Sequence, residues 1–187
     1  MKDPTSFGLP EHWNSTPREA VATYPCDEFS EAPYQSLTRA VDVDAPPALV
    51  FRWLCQLRAA PYSYDLIDNW GRRSPRELTP GLDQLAVGQF LLVATVASFV
   101  RDEHITGRAT PAAARVFGLL ALTYQINPRD AGSRLIGRLN VRPPHRVWDQ
   151  ARYALLAWGD LIMMRKQLLT FKALAERDAR RGVHVPA

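Results

Sequence analysis

Between Pro61 and Arg73 the chain gathers Tyr62, Tyr64, Asp65, Asp68, Asn69 and Arg72 into a dozen positions closed by a glycine at 71. Phenols and carboxyls can give and take protons, and a guanidinium anchors anionic groups, so such a stretch can orient or protonate a ligand. Elsewhere His104 and Tyr124 are further candidates for acid–base work, Arg39 is a second candidate anchor, and Trp158 offers an aromatic contact. No pair among these residues has a spacing diagnostic of a mechanism. No Ser/His/Asp order, phosphate-cradling glycine loop or metal-binding histidine pair is present, so no metal or other cofactor is expected. Asp65, Asp68 and Asn69 have two readings, as ligand contacts or as short acceptors that tie down turn amides, with Arg72 as their partner. His104 follows Arg101-Asp102-Glu103, company in which a histidine is usually a surface residue.

The elements that must hold these groups are legible on either side. Leu37–Val43 alternates as a strand that puts Leu37, Arg39, Val41 and Val43 on one face and Thr38, Ala40 and Asp42 on the other. Arg39 therefore points inward, either as a salt-bridged structural residue or as an anchor for an acidic head group. Asp44-Ala45-Pro46-Pro47 starts a helix carrying Leu49, Val50, Trp53, Leu54 and Leu57 at core spacing, and Pro61 ends it. Ser74-Pro75-Arg76-Glu77 has the pattern of a capping box and predicts a short helical turn ending near Pro80-Gly81. Strands are expected over 89–93, 98–108, 116–127 and 133–142, the last two joined by a turn at 127–132. In the final strand Arg134, Ile136, Arg138 and Asn140 share a face that reads as solvated. From about 146 to 180 there is no proline and one glycine, Gly159, so a long helix is expected, apolar nearly all round near its centre and bent near Gly159.

A strand ending in Asp42-Val43-Asp44-Ala45-Pro46-Pro47 leads to the helix Val50-Phe51-Arg52-Trp53-Leu54-Cys55-Gln56-Leu57. Then come Tyr62-Ser63-Tyr64-Asp65, Asn69, Gly71-Arg72 and Leu85-Ala86-Val87-Gly88. From about Leu37 to Glu176 this order resembles the START-related (SRPBCC) superfamily of lipid-transfer domains, pollen-allergen-like proteins and polyketide cyclases. The resemblance implies an α+β helix-grip fold, a curved antiparallel sheet around a long carboxyl-terminal helix with an apolar cavity between them. It implies as partner an apolar small molecule or lipid. Three functions stay open: hydrophobic ligand or lipid binding, a cyclase or dehydratase acting on polyketide-like or aromatic substrates, and a membrane-surface or interaction module using the basic helix with Arg165, Lys166 and Lys172.

Composition agrees with a globular chain: 187 residues, 47% hydrophobic, 22% charged, net charge +4. The division expected is an extended arm over 1–34, the helix-grip domain over 35–181 and a tail over 182–187. Trp13, Tyr24 and Phe29 lead us to expect that the arm lies over the domain, covering the side of the long helix that faces away from the sheet. The arginines are scattered and no nucleic-acid motif occurs, so no nucleic-acid partner is expected. Cys26 and Cys55 are lone thiols, which fits a reducing cytoplasm. The first residues lack an apolar segment of the secretory kind. Peripheral membrane contact stays open.

Overall fold

A computed structural model describes residues 8–64, 73–144 and 147–183. The alternating segment forms β2 (Gln35–Val43), which pairs antiparallel with β7 (Gly132–Val141), and β7 pairs with β6 (Leu120–Arg129). The sheet continues through β5 (His104–Ala109), β4 (Ala94–Val100) and β3 (Phe90–Leu91). At its other edge β1 (His12–Trp13) lies parallel to β2. The β6–β7 turn falls at 130–131 inside the expected window, with Gly132 at φ +140°. A side chain at Gly132 would start 2.3 Å from the Val43 carbonyl oxygen, so the turn needs glycine there.

Helix α1 (Pro17–Val21) belongs to the arm and is closed by a Thr16/Glu19 capping box. Helix α2 (Pro47–Cys55) and a 3-10 turn over Gln56–Arg58 follow β2 as the prolines predicted. Helix α3 (Pro111–Phe117) comes between β5 and β6, and α4 (Val147–Arg180) runs unbroken through Gly159. α2 and α4 pack on one face of the sheet around a single core that includes Leu37, Val41, Trp53, Leu135, Leu168 and Phe171.

Several expectations are corrected. The segment 98–108 is two strands, not one: β4 and β5 turn at 101–103, where Asp102 takes φ +64°. Val116 lies in the last turn of a helix instead of starting a strand, because Thr110 caps that helix on the Ala113 amide and Pro111 fills its first position. Ser74 starts no helical turn; its hydroxyl accepts from the Tyr62 amide at 3.2 Å.

The face of β7 that read as solvated is covered. Ile136 joins Tyr24, Cys26, Ala40 and Ala121 in a second, smaller core, and Arg138 and Asn140 are buried beside it. The arm is the cover. Arg138 donates to the Ala20 carbonyl at 2.6 Å and stacks on Tyr24, Asn140 donates to Asp27 at 2.6 Å, and Arg134 pairs with Glu19 at 2.9 Å. Residues 20–30 thus lie on the sheet face opposite α4, and among the described residues of the arm it is the stretch around Glu11 and Trp13 that reaches the helix. Arginine read as a water-facing residue here supplies donors to arm carbonyls and carboxylates.

Candidate functional site

The groups able to do chemistry converge on the inward side of α4. Tyr153, Asp160 and Gln167 recur every seven residues, two helical turns, so they fall in one line on a face otherwise made of Ala157, Leu161, Met164, Leu168 and Phe171. Each polar group on that line meets a partner from another element. Tyr153 donates to a Glu11 carboxylate oxygen at 3.4 Å. Gln167 accepts from the Tyr124 hydroxyl of β6 and donates to the Pro61 carbonyl at 2.6 Å. The second contact ties α4 to the start of the Tyr-Ser-Tyr stretch. Asp178, further along, accepts from Trp53 Nε1 at 3.1 Å.

Asp160 faces Arg39. The Nη2–Oδ2 distance is 2.9 Å, the arginine is fully buried and 13% of the aspartate side chain is exposed. Arg39 Nη1 also donates to the Glu11 carbonyl at 2.6 Å, and Nη2 to the Ala157 carbonyl at 3.4 Å. Its inward position follows from β2 alternation, and the salt-bridged reading of the residue is the one observed. Burial, only partly offset by Arg39, pushes the Asp160 carboxyl up to about 6. Burial likewise raises the Tyr124 hydroxyl and, first among the causes, lowers the Arg39 guanidinium.

The remaining sequence candidates are dispersed. Tyr62 is buried in the core at φ +56°, its ring against Trp53 and Phe171 at 6.0 and 5.3 Å between centroids. Tyr64 is exposed. Asp65, Asp68, Asn69 and Arg72 lie outside the described residues. His104 is half-buried at the start of β5, opposite Val100, and desolvation lowers its pKa. Trp158 lies on the solvent side of α4. Sequence reasoning missed Asp160, Gln167 and Tyr153, whose seven-residue spacing within an apolar helix was the available signal.

Packing is uneven along α4. Over its second half Leu168, Phe171, Leu174 and Ala175 are sealed, whereas Tyr153, Leu156 and Asp160 in the first half are only half-buried. Beneath them Leu122 and Leu139, cross-strand partners on β6 and β7, each keep 6% of their surface accessible, and Met164 keeps 7%. Leu37, Leu135 and Ile105 on the same face are at zero. The two cavities found lie outside the grip: one of about 50 Å³ between Phe29, Tyr34 and Asn140, and an open one of about 400 Å³ at Asp44, Arg129 and Ser133. Among the described residues no group of three or more His, Cys, Asp or Glu is placed to hold a metal ion.

A seven-stranded, largely antiparallel sheet closed by a long carboxyl-terminal helix is the helix-grip arrangement expected from the sequence. No family model matches the chain, and no curated protein matches it. Among solved structures it is similar to the Zhui aromatase/cyclase from Streptomyces sp. R1128, at 19% identity over 81% of this chain and 99% of that one, with a TM-score of 0.49. It is also similar to protein MLL2253 from Mesorhizobium loti, at 17% identity over 76% and 97%, with a TM-score of 0.49. The Polyketide_cyc-like protein Cgl2372 from Corynebacterium glutamicum is similar at 13% identity over 83% and 100%, with a TM-score of 0.42.

Proposed function

We propose that this protein binds an apolar small molecule inside the grip, entering beneath the first half of α4. The observation that carries this reading is the partial cover over the first half of α4, where Tyr153, Leu156 and Asp160 stay half-buried above Leu122 and Leu139, which keep 6% of their surface. An apolar ligand laid there would displace water from leucine and methionine surface, a favourable transfer of about 25 cal/mol per Å². The polar line on α4 would fix its orientation. Asp160 and Arg39 stand at the half-buried end, Tyr124 and Gln167 at the sealed end. Few polar groups in a mostly apolar lining is the usual composition of a small-molecule site.

Binding without reaction is the reading favoured over cyclisation. Tyr124 donates its hydroxyl to Gln167 and Asp160 faces Arg39, so each candidate acid already has a partner within the protein. The experiment is denaturing extraction of the freshly purified protein into organic solvent, with thermal-shift screening against lipids and aromatic polyketides. A co-purified apolar molecule that raises the melting temperature on re-addition is the expected result. A chain that releases nothing and shifts with none of them does not have this function.

A further inference from the structure

The solvent side of α4 carries an apolar stripe that the grip does not use. Leu155, Trp158 and Ile162 are spaced i, i+3, i+7 and so share one face, with Leu155 77% exposed and the other two about half exposed. Val116, Phe117 and Leu119, also about half exposed or more, adjoin this face, because Arg152 in the first turns of α4 donates to the Val116 carbonyl. Exposed leucine, isoleucine, phenylalanine and tryptophan grouped in this way are uncommon on a chain that meets only water.

The charge nearest the stripe is mostly basic. Between Asp149 and Glu176 the only acid on α4 is Asp160, which is turned inward onto Arg39. Arg152, Arg165 and Lys166 fall in the same interval, whereas Lys172 is paired with Glu176, and Arg165 sits over the Trp13 ring with its charge at the surface. Large apolar and aromatic side chains on one helix face, bordered by Lys and Arg, match a bilayer interface: the apolar groups enter the headgroup–acyl boundary and the cations meet anionic headgroups. We propose that this face docks on an anionic lipid surface. The two halves of the argument, exposed apolar area and a basic border, are independent of any ligand within the grip. The docked face would be the outer side of the same helix segment whose inner side is loosely packed.

The test is flotation of the full chain with vesicles of phosphatidylcholine alone and with about a third phosphatidylglycerol added, at low and raised salt. Binding to the anionic vesicles only, weakened by salt, is expected. The double substitution Leu155→Ser with Trp158→Ser should reduce it about ten-fold or more while leaving the melting temperature within about a degree or two, since both residues are exposed. Lys166→Glu should weaken it about three- to ten-fold. Absence of binding to either vesicle overturns the proposal, as does binding that the double substitution leaves unchanged. So does a concentration-dependent dimer in vesicle-free buffer that the double substitution dissociates, because a second copy would then be the occupant of the face.

Discussion

Replacing Asp160 by Asn removes a carboxylate whose charge the folded state does not favour, and the effect has a sign that depends on pH. Its folded pKa is raised from the ordinary 3.8 to about 6, with burial as the larger cause and Arg39 opposing it. A carboxyl with a raised folded pKa contributes stability that is fully present below about 3.8 and is lost as pH rises through about 6. The gap, at about 1.4 kcal/mol per pH unit, amounts to about 3 kcal/mol, an upper figure because solvent reaches 13% of the side chain. Glu19, Asp42 and Glu176 slope the other way: hydrogen bonds and charges from Arg134, Arg129 and Lys172, with backbone amides, outweigh their burial and hold them below the usual carboxylate range. Those three are common to both proteins and cancel in a difference. Urea unfolding of wild type and Asp160→Asn across this pH range should therefore give equal stabilities near the acid end, with the variant gaining by up to about 3 kcal/mol towards neutrality. A difference that opens in favour of the wild type would mean that Arg39 more than repays the burial of Asp160. Parallel curves would mean that the carboxyl is effectively in water.

Ending the chain after Gly159 removes Leu161, Met164, Leu168, Phe171 and Leu174 from the core, each contributing roughly 1.5 to 3 kcal/mol. Their sum is comparable to the whole stability of a domain, so the shortened chain should show no cooperative melt; one that melts near the parent temperature would make α4 an appendage. Cys26 and Cys55 are fully buried, and burial raises their thiols to about 11 and about 12, so both should be silent to a thiol reagent until the protein is unfolded. Rapid native modification of either would show that its cover, the arm over Cys26 or α2 packing around Cys55, opens on its own.

How much of this was legible in the sequence depended on whether the signal was local. β2 and β7 were readable because a period of two residues runs through each, and α4 because residues 146–180 hold no proline and one glycine among helix-forming residues. Arg39 was placed inward by the same alternation, but its partner was not, because Asp160 is far along the chain and was passed over in a stretch read for its apolar residues. α3 was missed although Thr110-Pro111 marks its start, since the strand pattern from Val116 onward was allowed to extend too far back. Ser74-Pro75-Arg76-Glu77 shows the opposite failure: a helix-start pattern with no helix behind it, because Tyr62 takes the serine hydroxyl. The outer face of β7 could not be read from its own residues. Alternating Arg134, Ile136, Arg138 and Asn140 describes a surface equally well whether water or a carbonyl-rich arm lies against it.

The claim that the grip holds an apolar molecule under the first half of α4 is most directly tested by filling that space. Leu139→Trp adds an aromatic ring at the inner face of β7, where residual accessible surface remains. The measurement is the affinity of the variant and the wild type for the molecule extracted from the wild type, read by thermal shift or displacement of a fluorescent apolar probe. A fall of about a hundred-fold, with stability changed by no more than about 1 kcal/mol, is the predicted result, since the ring would take up space that a ligand needs without overpacking a closed core. Unchanged affinity in a folded Leu139→Trp variant would place the ligand elsewhere. A loss of stability of several kcal/mol would contradict the claim that the space exists.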